Sequence, residues 1–194
     1  MASTPRLILA STSRYRAELL TRLGLPFEAV APGVDETTMP GEQPQAAASR
    51  LARAKALAVA ARHADAVVIG SDQVAVCDGM RLDKPGDRAN AIRQLTAVSG
   101  RTVVFHTAVC VVSAATAPAE AVVPTAVAFR HLPLDIIERY VDREQPFDCA
   151  GSAKAEGLGI ALIARMDGTD PSALIGLPLI ALTDLLARHG LSVL

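Results

Sequence analysis

The order of apolar runs predicts an α/β protein, a mixed β-sheet flanked by helices. Three observations lead there. Strand-like and helix-like segments alternate through the first half of the chain. Two Val-rich runs, 102–112 and 121–129, follow one another closely enough to pair as antiparallel neighbours. A helical pattern over 178–189 then closes the fold and stops at Gly190, as a left-handed C-terminal cap would require.

Each element has a local reason. Residues 6–10 (RLILA) form an apolar run of strand length, and Ser11-Thr12-Ser13 offers N-cap side chains for a helix with Leu19, Leu20 and Leu23 on one face. Residues 27–31 predict a second strand. The segment 32–44 reads as a loop in which Asp35 and Glu36 sit among turn formers. An Ala-rich helix over 44–62 carries Arg50, Arg53 and Lys55. Residues 66–70 (AVVIG) predict a buried strand that delivers Ser71 and Asp72 at its C-terminal end. Helices are expected over 87–98 and 134–142, with a short strand at 160–163 between the latter and the closing helix.

A chain of 194 residues fits one large domain or two closely interleaved lobes, and a single globular domain over 1–194 is expected. Hydrophobic residues make up 51%, but they are scattered as Ala, Val and Leu in short runs. None approaches the roughly 20 apolar residues that span a bilayer, so no membrane partner is expected. The opening residues show no apolar leader core or small-residue cleavage site, which points to the cytoplasm. Cys77, Cys110 and Cys149 lie too far apart to announce a zinc or redox motif and read as reduced, small apolar residues. The four histidines are equally scattered. A net charge of -1 with no basic run argues against binding a nucleic-acid duplex, yet leaves room for a small anionic substrate.

Ligands of open α/β sheets gather beyond the carboxyl ends of strands. Two such ends carry suitable residues. After the first strand, the Ser11 and Ser13 hydroxyls, the N–H groups of a helix N-terminus, and Arg14 or Arg16 could grip phosphate oxygens. At Gly70-Ser71-Asp72-Gln73, an apolar strand leads straight into a carboxylate able to bind a divalent cation or take a proton from water. Glu36 and the turn residue Lys84 are candidates to complete such a site. No P-loop lysine motif, dinucleotide glycine fingerprint or nucleophile elbow is present. The residues alone therefore describe an anion-handling α/β enzyme.

Leu7-Ile8-Leu9-Ala10-Ser11-Thr12-Ser13, with Arg16 three residues on, resembles the opening signature of the Maf family of nucleotide pyrophosphatases. The likeness continues in family order through Val34-Asp35-Glu36, Ala52-Arg53-Ala54-Lys55-Ala56, Gly70-Ser71-Asp72-Gln73-Val74, Lys84-Pro85, Ser99-Gly100, Cys149-Ala150-Gly151-Ser152 and Ala173-Leu174-Ile175-Gly176-Leu177-Pro178. The resemblance implies a twisted mixed sheet, two lobes with a central cleft, a divalent cation (Mg²⁺ or Mn²⁺), frequent homodimers and a nucleoside triphosphate as small-molecule substrate. By the same resemblance Asp72 matches the family's catalytic base, and Ser11, Arg16, Lys55 and Lys84 match triphosphate-holding positions. Glu36 matches a carboxylate that assists metal or water, so Asp72 and Glu36 are the expected metal ligands. Asp72-Gln73-Val74, together with Lys154-x-Glu156-Gly157-Leu158-Gly159, looks like the 7-methyl-GTP branch rather than the dTTP/UTP branch. N7-methylated guanine carries ring charge, which suits stacking on Tyr15 and hydrogen bonding to Glu156 and Gln73. Three positions depart from the family pattern: Arg14 replaces a usual Pro, Asp83 a usual Gly, and Tyr15 an expected Trp. The alternatives are a pyrophosphatase for UTP, CTP or dTTP and, from another class, a non-catalytic nucleotide-binding regulator of septum formation.

Overall fold

The computed structural model describes residues 5–194; residues 1–4, part of the opening stretch read as lacking a leader, lie outside the described residues. In chain order the elements are β1 (Arg6–Leu9), α1 (Arg14–Thr21), β2 (Glu28–Ala29), α2 (Pro44–Ala60), β3 (Ala66–Cys77), β4 (Met80–Leu82), α3 (Arg88–Val98), β5 (Thr102–Ser113), β6 (Thr116–Phe129), α4 (Leu134–Glu144), β7 (Ile163–Gly168) and α5 (Leu179–Arg188). The strands hydrogen-bond in the order β2-β1-β3-β5-β6-β7, with β4 paired to β3. β1 runs parallel to β2 and β3, while β3–β4 and β6–β7 are antiparallel, so the sheet is mixed as expected.

Two compact units divide the chain: Met1–Asp72 with Thr107–Val123 and Asp170–Leu194, and Gln73–His106 with Pro124–Thr169. In the first unit, strand alternation sets the layers, because successive side chains point to opposite faces. Leu7, Leu9, Val67 and Ile69 join Leu19 and Leu20 of α1 and Leu182, Leu185 and Leu186 of α5 in one apolar cluster. Ile8, Ala66 and Val68 turn the other way, onto Val59 of α2. Both faces of β1 and β3 are thus covered, which explains why these strands read as unbroken apolar runs. Ser13 caps α1 by accepting from the Arg16 N–H at 3.4 Å. In the second unit α3 packs on α4, and Asp87 caps α3 by accepting from the Asn90 N–H at 2.8 Å. Among the described residues, no helix is long and apolar enough to cross a membrane.

Several boundaries differ from expectation. β3 does not stop at Gly70 but runs through Asp72 to Cys77, so Asp72 stands within a strand rather than at its end. The continuation is held by β4, an element absent from the sequence reading, across an Asp78-Gly79 turn whose residues both have positive φ (49° and 81°). Asp-Gly between extended runs is a strong hairpin signal. β6 begins at Thr116, ahead of the expected start at 121, and so takes in Pro118. β7 pairs with β6 only from Thr125 onward, so Pro118 lies in an edge stretch, the usual place for a proline within a strand. Finally, 158–162 is a 3₁₀ turn and the strand follows it at Ile163–Gly168. Five of those six strand residues are exposed, which removed the apolar alternation that would have marked it.

Candidate active site

The site starts from a lysine on the wrong face of a helix. The buried positions of α2 include Ala47, Leu51, Lys55 and Val59, each four residues from the last, so Lys55 interrupts an apolar stripe. A buried ammonium needs carboxylate partners. Its Nζ lies 2.6 Å from Asp72 Oδ1 and 2.9 Å from Glu36 Oε2. Lys55 and Asp72 side chains are 5% and 8% exposed, whereas Glu36 is 58% exposed. Gly70 makes the approach possible: a Cβ there would lie 2.1 Å from the Ala52 carbonyl oxygen and 2.6 Å from the Ala56 nitrogen. Alternation then turns Asp72, two residues on, toward the same helix.

Glu36 is held by its own loop. Asp35 Oδ1 accepts from the Thr37 N–H (2.9 Å) and hydroxyl (2.6 Å), and these bonds lower the Asp35 pKa. Arg50 of α2 donates to the Thr37 carbonyl at 3.2 Å and grips both Glu42 oxygens at 2.6 and 2.8 Å.

On the other face of β3, Ser71 Oγ lies 2.7 Å from the Ala108 carbonyl and 2.9 Å from the Gly176 carbonyl. Gly176 O also accepts from Arg16 Nε at 2.9 Å, and Arg16 Nη1 reaches Ser11 Oγ at 3.5 Å. Burial lowers the pKa of the Arg16 guanidinium, and the charges of Asp72 and Glu36 oppose that shift. The first unit therefore gathers Ser11, Arg16, Glu36, Lys55 and Asp72 into one electrostatic neighbourhood. Ser13 serves as the helix cap, and Arg14 stacks over the Tyr15 ring at 4.7 Å while donating to its hydroxyl at 2.7 Å.

Gln73 follows Asp72 in β3, and Lys84 and Glu156 belong to the second unit. Lys84 is exposed on a turn that α3 fastens on either side: Gln94 donates to Asp83 O and Asn90 to Pro85 O, both at 2.9 Å. The Asp83 carboxylate pairs with Arg81 Nε at 2.7 Å. Gln94 also accepts from Ser152 Oγ at 2.6 Å, which ties the Cys149–Ser152 turn to the same helix. Glu156 is exposed.

Sequence reasoning missed the braces of the first unit. Thr107 donates to the Ala173 carbonyl at 2.8 Å, and Asp170 accepts from the Ser172 N–H and hydroxyl and from the Ile180 N–H. These bonds shape the 170–178 turn that presents Gly176 O to Arg16. A Thr within a Val-rich strand and a Ser directly after AVVIG were the available signals, since buried hydroxyls require partners.

Among the described residues, no group of three or more His, Cys, Asp or Glu side chains could hold a metal ion. The available donors are the Asp72 and Glu36 carboxylates on Lys55. Two carboxylates suit a hard divalent cation that takes its remaining oxygens from water and substrate phosphates rather than from a protein cage. The donor set therefore fits an Mg²⁺-type ion shared with an anionic ligand.

A paired carboxylate and ammonium beside a guanidinium and a hydroxyl suits an anionic ligand, and the fold around it has a family. The chain belongs to the Maf family, whose model, described as Maf-like protein, matches residues 6–189. Among its relatives, the 7-methyl-GTP pyrophosphatase of Methylobacillus flagellatus is 56% identical over 98% of this chain and 100% of its own length. Those of Thiobacillus denitrificans (55%; 99% and 96%) and Aromatoleum aromaticum (57%; 96% and 96%) carry the same name.

Proposed function

We propose that this protein hydrolyses 7-methyl-GTP to 7-methyl-GMP and pyrophosphate, acting as one domain in the cytoplasm. The observation that carries this reading is Lys55 held between Asp72 and Glu36, with Arg16 in electrostatic reach. The substrate is supported by relatives named 7-methyl-GTP pyrophosphatase at 52–57% identity over nearly the whole chain.

Asp72 takes the proton as water attacks the α-phosphorus, the α–β bridging P–O bond breaks, and pyrophosphate departs. Lys55 fixes the orientation of the Asp72 carboxylate and adds positive charge where phosphate oxygens gain negative charge. Ser11, Ser13, Arg16 and Lys84 hold the triphosphate by hydrogen bonds and ion pairs. A divalent cation, Mg²⁺ or Mn²⁺, carried by Asp72 and Glu36 would neutralise the phosphates and stabilise the departing pyrophosphate. That fits electrostatics, since a triphosphate beside two carboxylates needs intervening positive charge. Tyr15 stacks on the methylated base, whose polar edge is read by Gln73 and Glu156.

The test is pyrophosphate release by the purified protein, with Mg²⁺ or Mn²⁺, from 7-methyl-GTP, GTP, UTP, CTP and dTTP. A clear preference for 7-methyl-GTP is expected. A pyrimidine preference would discard the substrate while keeping the chemistry, and no release from any of them would discard the enzyme.

A further inference from the structure

The exposed Glu156 is carried on a turn whose two ends are pinned by a single residue of α4. At one end is Lys154, which is only 9% exposed. Its backbone N–H donates to the Tyr140 hydroxyl at 3.0 Å, its Nζ donates to the Glu144 carbonyl at 3.3 Å, and the ammonium lies 3.8 Å from Glu144 Oε1. Asp148 Oδ1 is also 3.8 Å from that ammonium. At the other end, the Leu158 N–H donates to Glu144 Oε2 at 2.8 Å. Between them Gly157 N–H closes the turn on the Lys154 carbonyl at 3.0 Å.

The glycines show how close the fit is. A Cβ at Gly157 would lie 2.9 Å from Glu144 Oε2, and one at Gly159 would lie 2.4 Å from the Lys154 carbonyl oxygen. The Lys154, Gly157 and Leu158 N–H groups of the turn are all engaged, whereas the Glu156 side chain makes no hydrogen bond or ion pair among the described residues. A long, exposed carboxylate on a rigid base differs from an ordinary surface glutamate, because the cost of ordering its backbone has been met before any ligand arrives.

We infer that Glu144 and Lys154 are positioning residues for nucleotide selectivity: they act through Glu156 by holding its turn in the conformation that meets the base. The inference rests on the 7-methyl-GTP reading above. Neither residue touches substrate in this account. Asp148 completes the charge balance around the Lys154 ammonium, so the pair does not leave an isolated buried charge.

The experiment measures kcat and KM for 7-methyl-GTP and GTP in the full-length protein and in Glu156→Ala, Glu144→Ala, Glu144→Gln and Lys154→Met. Melting curves accompany each variant. The wild-type preference is read first, so that its absence overturns the substrate reading, and this inference with it. Given that preference, Glu144→Ala and Lys154→Met are expected to cut the 7-methyl-GTP to GTP ratio of kcat/KM about tenfold, the scale of a displaced positioning contact. The loss should fall mainly in KM for 7-methyl-GTP, with kcat on GTP within about twofold of wild type. Glu144→Gln should keep most of the selectivity, because its amide oxygen still accepts from the Leu158 N–H. Equal losses on both nucleotides would overturn the inference while leaving the substrate reading intact. So would selectivity that survives in Lys154→Met and Glu144→Ala but disappears in Glu156→Ala.

Discussion

In the proposed reaction Lys55 serves both stability and chemistry, and the two roles can be separated. Lys55→Met leaves the Asp72 carboxylate buried without its ammonium, and breaking such a pair costs about 3–5 kcal/mol. The expected outcome in urea denaturation is a lower midpoint with an unchanged slope. Lys55→Met combined with Asp72→Asn removes both charges and should regain much of that stability while turnover stays lost. Asp72→Asn alone should lower kcat by about a hundredfold or more while nucleotide binding persists, since it removes a proton acceptor and little volume. The thiols offer a check of a different kind. Burial pushes Cys110 and Cys149 up to about 12, and Cys77 is raised as well. All three should react slowly with Ellman's reagent at pH 8 in the native protein and fully after unfolding, because only the thiolate attacks. Rapid native labelling would contradict the packing around them.

At the scale of elements, the contact of β3 with α2 controls the site. Backbone meets backbone at Gly70, so Gly70→Ala has no flexible side chain to displace. Overpacking of this kind costs about 1–3 kcal/mol or more, and the helix that carries Lys55 must shift. A melting temperature lowered together with kcat is expected, the latter by more than the melting loss accounts for at assay temperature. Ser13→Ala is the milder counterpart: it removes the α1 cap and should cost about 1 kcal/mol with activity only partly reduced. β3 continues past Asp72 to Cys77 and its far end pairs with β4 from Ala75 onward, so the carboxylate stands within a strand rather than at its end.

At the scale of the whole molecule, two buried histidines are expected to make stability depend on pH. His106 and His189 are 8% and 7% exposed, and burial lowers the pKa of each. Ser113 Oγ lies 2.8 Å from His189 Nδ1, while His106 Nδ1 and His189 Nε2 have no hydrogen-bond partner among the described residues. A folded-state pKa below the unfolded value of about 6.5 means that the unfolded chain binds more protons in the window beneath it. Their contribution is therefore complete above about pH 6.5 and is lost as the pH falls toward the folded values. The urea midpoint should drop between pH 7.5 and 5.5, and His106→Phe should flatten that dependence. An unaltered slope in the variant would remove His106 from the account.

What the sequence determined by itself was everything set by local period and composition. Apolar runs with N-cap side chains defined β1 and α1, Asp87 set the start of α3, and Gly190 closed the chain. The ordered motifs marked the family and the identity of Asp72, Lys55 and Glu36 as candidates. Local pattern misplaced β7, because an exposed edge strand lacks apolar alternation, and it stopped β3 early, because Asp72 reads as a terminator when its partner is out of view. Only the tertiary structure decided that Glu36, Lys55 and Asp72 meet, that Arg16 is steered by the carbonyl of Gly176, and that Glu144 fixes both ends of the Glu156 turn. The physical reason is that periodicity reports which face of an element is buried but not what covers it. Those contacts exist only once sheet packing brings distant segments within hydrogen-bond distance.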